Sequence, residues 1–438
     1  MSQLNDNQRV LTAKLFKDSV SNGGANVYFT FGKHLPWAND LSPQLANTSI
    51  GTHFEVWNNM IGCKKITGND ISHVIPRYDW SANTVYTQYD PNNSDIGSDN
   101  TKFYIVNSAF DVYKCLYNNG EQPSTVEPTS INPSNVTQTS DGYVWKYMYS
   151  ISASEKIKFT TGSYIPVKYL TTDDGSLQWD VQDNAVDGAI YGIKITNSGT
   201  GYSNVSNLII TISGDGLSAA ASGNINTISG IINSITMTNY GEGYTNATVV
   251  ISGGGGTGAA GEPIIGYPRG HGSNPLSELF GKNLLINPRL INTENGVLGV
   301  DNDYRQISIL NNPLEYGTST IAGNNAYSMT MDLTVTGLGA SYIKDEIVYQ
   351  GTSLSTSTFS GNVLEYDSAN NLVKVTNTLG YPVSEPLIGA ESSASKYVAS
   401  IGYPDLERYS GDLLYVDNII PITRNINQSE DFKVIIKF

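Results

Sequence analysis

The amino-acid sequence predicts a mainly β (α+β minor), multi-domain protein, with a β-sandwich- or barrel-like core, two inserted small all-β modules and a few short helices. At 438 residues the chain is long enough for about three domains of roughly 150 residues each. It contains 43 Gly and 28 Tyr, while charged residues make up only 15%. This composition is typical of turn-rich β proteins whose surfaces carry neutral polar groups and tyrosine. Many short alternating runs, punctuated by Gly and Ser, indicate strands.

The charge balance excludes some partners. The formal net charge is −15, with only 25 Lys and Arg, and the longest basic run is Lys64-Lys65. Because phosphate binding needs clustered cations, nucleic acid is not an expected partner. The sequence shows no signal-peptide pattern and no run of roughly 18 apolar residues. We therefore expect the chain to be synthesised in the cytoplasm and not to insert into a membrane. Cys63 and Cys115 are too few for a disulfide framework and are expected to be buried, reduced thiols.

The first fifth of the chain predicts two helices and two extended segments. A helix is expected from Asp6 to Val20, with an apolar stripe formed by Leu11, Leu15, Ala13, Phe16 and Val20. The next elements are expected to be the strand Val27–Phe31, closed by Gly32, a second helix from Thr52 to Ile61, and the extended segment Val74–Trp80.

Three further strands are predicted before residue 150. Phe103–Val106 and Val112–Leu116 are short, and Thr139–Tyr149 is the clearest of the three. In the last of these, alternation would place four aromatic residues on one face: Tyr143, Trp145, Tyr147 and Tyr149. Such a row favours a packing face or a protein interface over a ligand platform.

An internal repeat begins near Asp187. The segment Ile193–Ser203 recurs as Ile235–Thr245 at a constant offset of 42 positions, so that Ile193 matches Ile235 and Tyr202 matches Tyr244. Each copy continues into a β run and a glycine-rich tail. Since two such units stacked together would share one core, residues 187–266 are predicted to be an inserted all-β module.

The glycine-rich tail Gly253–Gly258 invites comparison with a phosphate-binding loop. That motif, GxxxxGK[ST], requires a lysine that reaches the phosphates and a helix after the loop. No lysine follows Gly258, and a weaker form of the same tail occurs in the first copy. The pattern therefore favours a turn within a repeat.

After the repeat, Asp303–Glu315 is predicted to form one strand and a turn, where the chain returns to its main body. Alternation places Arg305, Ile307 and Ile309 on one face of a half-buried strand, with Ile307 and Ile309 expected in the core. The turn Asn311–Pro313 ends it, because proline donates no amide hydrogen to a ladder.

Two further β segments are predicted towards the C-terminus. Met329 to about Ser400 is expected to form a second small β module, because it holds short alternating runs punctuated by Gly and Ser. At the end of the chain, Leu413–Val416 and the strand Phe432–Phe438 are predicted to form a β pair.

Residues capable of catalysis or metal binding are sparse. His34, His53, His73 and His271 show no paired spacing, so metal-site and triad interpretations are weak. Asp301 and Asp303 could share a cation, but their flanks lack a ligand-rich, glycine-turned loop. A carboxylate pair for glycoside hydrolysis depends on spatial distance and is not readable from the sequence. We therefore predict no catalytic, cofactor-binding or metal-binding residues, and no cofactor.

Seven blocks occur in the same order as in a known family. They are Val27–Trp37, Val74–Trp80, Asn107–Ala109, Asp141–Tyr149, Tyr304–Glu315, Gly411–Asn418 with Pro421-Ile422, and Gln428–Phe438. Together they resemble the homodimer-forming baseplate wedge subunit of T4-like contractile-tailed bacteriophages. The resemblance covers roughly residues 1–186, 267–325 and 403–438. The two β modules are departures, and their glycine-rich repeats are similar to those in tail proteins of T4-like phages from cyanobacteria and other marine bacteria.

This resemblance implies a structural virion protein without enzyme activity. It implies a location in the tail baseplate, assembly in the host cytoplasm, partnership with itself as a homodimer and with other wedge proteins, and a part in baseplate rearrangement when the tail contracts. The predicted segments are 1–186 (N-terminal core), 187–266 (first module), 267–325 (core), 326–402 (second module) and 403–438 (C-terminal core strands). Two alternatives remain: a host-surface or glycan-binding adhesin acting through the modules, and an envelope-degrading hydrolase.

Overall fold

The computed structural model describes residues 5–47, 49–291, 301–323, 326–425 and 427–438. The prediction of a mainly β fold is confirmed, since 42% of the described residues lie in strands and 13% in helices. The α-helices are α1 (Asp6–Ser21), α2 (Ile50–Asn59), α3 (Ala153–Phe159), α4 (Leu177–Asp183) and α5 (Pro275–Glu278).

The strands run through the whole chain. Those before residue 312 are β1 (Val27–Gly32), β2 (Met60–Lys65), β3 (Ile71–Pro76), β4 (Tyr104–Val106), β5 (Asp111–Tyr117), β6 (Thr137–Gln138), β7 (Val144–Ser150), β8 (Tyr164–Val167), β9 (Ile190–Thr200), β10 (Leu208–Gly214), β11 (Ala220–Asn226), β12 (Ile231–Asn239), β13 (Ala247–Gly253), β14 (Thr257–Ile265), β15 (Asn283–Ile286), β16 (Arg289–Ile291) and β17 (Asn302–Asn311). The later ones are β18 (Met331–Thr336), β19 (Ile347–Gln350), β20 (Phe359–Asp367), β21 (Leu372–Gly380), β22 (Pro386–Gly389), β23 (Ser395–Gly402), β24 (Asp412–Arg424), β25 (Ser429–Asp431) and β26 (Val434–Lys437).

The chain divides into two compact units. Unit 1 consists of Met1–Leu15, Ser72–Leu285 and Ile435–Phe438, and unit 2 of Phe16–Ile71 and Ile286–Val434. The first repeat module therefore lies within unit 1, and the second predicted module within unit 2. The finer division into five segments stays a prediction.

The body of unit 1 contains two four-stranded sheets, with strand orders β4-β5-β7-β6 and β26-β15-β3-β8. A core cluster includes residues of both sheets together with α1 and α5, as Val112, Ile165, Val10 and Leu276 show. A second cluster, containing Trp145 and α4, covers the other face of the β5–β7 strands. The β4–β7 sheet is thus buried on both faces.

The aromatic row of β7 is a packing face, with one exception to the predicted alternation. Tyr143, Trp145 and Tyr147 belong to one core cluster, and the rings of Tyr143 and Trp145 stack at 5.4 Å between centroids. Tyr149 belongs to the other cluster, beside Met148. The register between β5 and β7 shifts by one residue at this point, as in a β-bulge, and this places Tyr149 on the opposite face.

The repeat module is built from strands that the two copies exchange. Strand β9 of the first copy pairs with β14 of the second, and β12 of the second pairs with β11 of the first. The middle strands β10 and β13 pair antiparallel, so that their central residues, Thr211 and Val250, face each other. The module therefore has an approximate two-fold axis between these residues. At its base, the amide of Gly266 donates to the carbonyl of Ala189 at 2.9 Å.

The glycines of the tails make room for the repeated tyrosines. Tyr202 and Tyr244 are buried, and a Cβ at Gly256 would lie 2.4 Å from Cγ of Tyr202. Reciprocally, a Cβ at Gly216 would lie 2.4 Å from Cδ2 of Tyr244. Each tail thus packs against the tyrosine of the other copy. Strand β14 follows the Gly253–Gly256 turn, so no phosphate-loop helix is present.

Replacing Gly256 with Ala should destabilise unit 1, because the added methyl group overlaps the buried ring of Tyr202. We expect a loss of about 1–3 kcal/mol, the usual range for overpacking. Gly162→Ala is the control, since a Cβ there meets nothing within 4 Å. The free energies of unfolding come from urea titration followed by circular dichroism. Equal midpoints for the two variants would refute this account of the tail.

The central sheet of unit 2 has the order β2-β1-β17-β24. Strand β17 pairs with β1 on one side and β24 on the other, and Ile309 and Ile307 face Phe29 and Phe31. The predicted burial of both isoleucines is confirmed, at 0% and 7% exposure. The expectation of a half-buried strand was wrong. Residues Tyr304–Leu310 are all buried, because the strand is internal and both faces of the sheet are covered.

The second predicted module contains a closed barrel with the strand order β18-β21-β20-β19-β22-β23. Its core is self-contained and includes Leu333, Val348, Val363, Val375 and Val398. Glu346 lies at the barrel end, where its carboxylate accepts hydrogen bonds from the amides of Ile343, Glu391 and Ser392 at 2.7–3.0 Å.

The predicted C-terminal β pair was wrong. Strand β24, which contains Leu413–Val416, pairs with β17, whereas β26 pairs with β15 in the other sheet. The intervening strand β25 pairs with β16. Each arm is regular, but the sequence pattern of a strand does not specify its neighbour.

Helices α1 and α2 differ from expectation at their surfaces. Leu11 and Leu15 of α1 are 54% and 61% exposed, while Val10 packs into the core of unit 1. Helix α2 ends at Asn59, two residues before the predicted end, because Met60 already belongs to β2. Its residue Trp57 is buried, whereas Phe54 is 45% exposed.

Candidate functional site: an exposed tyrosine surface

Three of the four histidines are buried and have structural contacts. In unit 1, Nδ1 of His73 lies 2.8 Å from the carbonyl oxygen of Gly281. In unit 2, Nδ1 of His34 lies 3.2 Å from Oγ1 of Thr376, and burial lowers the pKa of His34 to about 4. Among the described residues, no group of three or more His, Cys, Asp or Glu is arranged to hold a metal ion.

The third buried histidine, His271, belongs to a fully buried ionic cluster in unit 1. Nζ of Lys114 lies 2.9 Å from Oε2 of Glu278 and 3.0 Å from Nδ1 of His271. The other carboxylate oxygen of Glu278 accepts hydrogen bonds from the amides of Gly272 and Asn274 at 2.8 and 3.1 Å. The ring of Tyr89 lies 3.7 Å from the ammonium group. These contacts attach the turn before α5 to the middle of strand β5.

The electrostatics of this cluster fit a structural role. Burial alone would raise the pKa of Glu278, but the Lys114 ammonium beside it lowers that pKa to about 2. Burial and the same ammonium lower the pKa of His271 to about 4, so the imidazole is neutral at pH 7. A neutral histidine that is enclosed by aromatic rings and an ion pair has a fixed position and is not accessible to a substrate.

Of Asp301 and Asp303, the pair that could share a cation, Asp303 has other partners for its carboxylate. Asp303 accepts hydrogen bonds from Nη2 of Arg305 at 3.1 Å and from Oγ1 of Thr423 at 2.6 Å. Arg305 also forms a two-point contact with Asp40, with both distances at 2.9 Å, and lowers the pKa of that carboxyl. Arg305 therefore neutralises the carboxylates of this region. The prediction for Cys63 and Cys115 is confirmed, since both are free and buried.

The most distinctive surface of unit 2 is aromatic. We call it the tyrosine surface and define it as Phe54, Tyr316, Tyr381, Tyr403, Arg408 and Tyr409. The rings of Tyr316 and Tyr403 stack at 4.8 Å, and those of Phe54 and Tyr409 meet edge to face at 5.0 Å. Tyr381 is 73% exposed, and Phe54, Tyr403 and Tyr409 are each about half exposed. Contiguous exposed aromatic side chains around an arginine are typical of protein-binding hot spots.

Backbone pairing in loops brings these residues together. The amide of Tyr316 donates to the carbonyl of Asp405 at 3.1 Å, and the amide of Glu407 donates to Leu314 at 2.8 Å. This bridge aligns Tyr316 with Tyr403. A guanidinium nitrogen of Arg408 donates to the carbonyl of Thr378 at the end of β21, 3.2 Å away, next to the loop that contains Tyr381.

Arg408 is electrostatically tied to the surrounding rings. Burial lowers the pKa of Arg408, whereas Tyr409, Tyr316 and Tyr381 act in the opposite direction. Burial also raises the pKa of Tyr316, with contributions from Tyr403 and Tyr381. The hydrogen bond to Thr378 holds the guanidinium in place, so the arginine has less freedom left to lose when a partner binds.

This surface was not predicted from the sequence. The alternation pattern points instead to the aromatic row of β7, which is buried, whereas the exposed aromatic residues come from α2 and three separate loops. The feature of the sequence that could have indicated it was the excess of Tyr over Phe. Tyrosine can pack one side of its ring against protein while its hydroxyl group remains in contact with water. Among the described residues, no helix combines the length and apolar character needed to cross a membrane.

Comparisons with known proteins give the chain a context. A family model described as "Bacteriophage T4, Gp8" matches residues 7–132. The chain is also similar to the "Baseplate wedge protein gp8" of Enterobacteria phage T4, with 23% identity over 231 residues. That match covers 41% of this chain and 66% of the relative, just under two thirds of the relative's length. These comparisons confirm the resemblance predicted from the ordered sequence blocks: the chain is similar to the baseplate wedge proteins of T4-like contractile-tailed phages.

Proposed function

We propose that the chain is a structural subunit of the baseplate wedge in a contractile phage tail. The observation that carries this proposal is the similarity to a baseplate wedge protein, which includes the family-model match across α1, β1–β5 and α2. The subunit works through protein–protein contacts, is assembled in the host cytoplasm and takes part in the rearrangement of the baseplate at contraction. This role needs no enzymatic activity.

The tyrosine surface supports this function because it suits a subunit that is covered by neighbours in an assembly. Apart from Arg408, its defining side chains are aromatic, which makes it poor in charge on a chain whose net charge is −15. Two like-charged proteins can approach with least repulsion at such a surface. We assign to it a contact with a second copy of the chain in a homodimer, while other wedge proteins bind elsewhere.

The test is the oligomeric state of the purified chain and of a surface variant. We expect the wild-type chain to be a dimer by size-exclusion chromatography with light scattering. Tyr381→Lys should weaken self-association at least tenfold, since it places a strongly hydrated charge on the tyrosine surface. The matched control is Leu338→Lys, at a fully exposed position of the barrel outside the tyrosine surface.

Two results would overturn the assignment. A monomeric wild-type chain at micromolar concentration would remove the homodimer. A dimer that Tyr381→Lys leaves unchanged would place the self-contact elsewhere. The wedge role itself is tested separately, by mixing the chain with the other wedge proteins of its phage and asking whether a complex of defined mass forms.

A further inference from the structure

Unit 1 contains an open groove of about 750 Å³ between the repeat module and the body. One wall is the loop Val85–Ser94 together with the end of β5 and the turn after it. The other wall is formed by β9, β12 and β14 of the module. Its volume lies in the range of pockets that hold small organic ligands.

The groove is formed because the module rests closely on the body at one end. At Gly192 the strand β9 approaches so closely that an added Cβ would lie 3.4 Å from Cδ2 of Tyr117 and 3.5 Å from Nε2 of Gln88. Farther along the same strand, Nζ of Lys194 lies 3.8 Å from a carboxylate oxygen of Asp90 in the loop. These contacts connect the two walls and leave an open space beside them.

The lining is rich in amide and carboxylate side chains. Asn118 and Asn93 use theirs to hold the backbone of the loop and turn. Within the described part of the chain, no hydrogen bond or ion pair engages the side chains of Asn92, Asn233, Glu121 or Glu262, all of which line the groove. These groups offer both donors and acceptors to a ligand, with Asn92 and Glu121 on the body and Asn233 and Glu262 on the module.

The chemistry of this lining restricts the class of ligand. An anion would meet the three carboxylates Asp90, Glu121 and Glu262, and the one lining cation, Lys194, is already paired with Asp90. A bound metal ion is not favoured either, since the described residues contain no group of three or more ligands suitably placed. An apolar ligand would leave the amides and carboxylates unsatisfied. An organic cation would pair with the carboxylates but has no acceptor for the amide N–H groups of Asn92 and Asn233. A neutral molecule with many hydroxyl groups can donate to the carboxylates and pair with both ends of an amide.

We propose that this groove binds a neutral oligosaccharide. The site goes beyond a structural role in the wedge, because it gives the chain an affinity for glycans at the junction of module and body. The module then has a role in ligand binding, since β9, β12 and β14 supply one wall of the site.

The experiment uses the full chain, labelled with a fluorophore, on an array of neutral and acidic glycans. We expect saturable binding to a subset of the neutral glycans. Ser198→Trp, which fills the groove from β9, should abolish this binding, and Asn233→Ala on β12 should weaken it at least tenfold. The matched controls lie in the same module but outside the groove: Ser206→Trp and Asn224→Ala should bind as the wild type does.

The proposal is overturned if no glycan binds, if only acidic glycans bind, or if Ser198→Trp binds as tightly as Ser206→Trp. Because a large side chain at Ser198 can disturb β9, the alanine pair at Asn233 and Asn224 gives an independent reading, and equal affinities for those two would also overturn the site. Light scattering on the same variants separates this proposal from the wedge function, which predicts an unchanged oligomeric state for all four.

Discussion

Replacing Ile309 with Asp should prevent unit 2 from folding. Ile309 is fully buried in β17, between Phe29 of β1 and Tyr415 of β24. An aspartate there must either bury an unpaired charge or take up a proton, and both cost several kcal/mol. A loss of that size is comparable with the whole stability of a typical domain, about 5–15 kcal/mol. The measurement is soluble yield and the near-ultraviolet circular dichroism of the purified chain.

A control and a milder variant keep this prediction testable. Ile420→Asp, on the neighbouring strand β24, changes a side chain that is 59% exposed and should leave folding intact. Ile309→Ala should fold and lose about 2–5 kcal/mol in urea titration, the usual cost of truncating a buried isoleucine. If Ile309→Asp purifies as a normally folded protein, β17 is not the centre of unit 2.

Removing Lys114 should cost unit 1 about 3–5 kcal/mol, because Glu278 then remains as a buried carboxylate without its cation. We expect this result for Lys114→Met, measured by urea titration. Lys168→Met is the matched control. Its partner Glu155 lies 3.1 Å away, but the lysine is 40% exposed, so the loss should be below about 1 kcal/mol.

A double variant tests whether the loss arises from the stranded charge. Lys114→Met combined with Glu278→Gln leaves no unpaired charge, so it should be more stable than Lys114→Met alone. A single variant no less stable than the Lys168→Met control would contradict the assigned role of the cluster.

The same cluster predicts acid sensitivity. The pKa of His271 falls from 6.5 to about 4 on folding, so only the unfolded chain takes up this proton between those values. The pKa of Glu278 falls from 4.5 to about 2, so the unfolded carboxylate is protonated first at still lower pH. The histidine makes stability fall as the pH drops below about 6.5, and the carboxylate adds to the decline below about pH 4.5. His271→Asn should flatten the upper part of this decline and Glu278→Gln the lower part, as measured by urea midpoints from pH 7 to pH 3.

Strand β17 and the repeat module show how much of the fold the sequence could predict. Alternation identified the strand and the burial of Ile307 and Ile309, because burial of one face is recorded in the residues themselves. The repeat identified a two-copy β unit for the same reason. Neither pattern specifies which strand is the partner of which. We could therefore not predict that β11 and β14 pair with strands of the other copy, or that β24 and β26 lie in different sheets.

The tyrosine surface could not be predicted from the sequence, for a different physical reason. Phe54, Tyr316, Tyr381 and Tyr409 come from segments separated by tens to hundreds of residues, and loop pairing brings them together. An exposed aromatic residue in a loop has the same local pattern as a buried one. The β7 row shows the converse, since alternation alone placed Tyr149 with Trp145 until the register shift at Met148 separated them.

The closed base of the repeat module has a mechanical consequence. Its entering and leaving chains are joined by the hydrogen bond between Ala189 and Gly266, and pairing continues from Ile190 with Ile265 along β9 and β14. A force that pulls residues 189 and 266 apart would break these hydrogen bonds one after another, starting at the base. It would reach the core that the two copies share only afterwards. Tension in the body reaches the module through these same two residues. Their hydrogen bond is therefore the first contact of the module to break under such a load, ahead of its buried core.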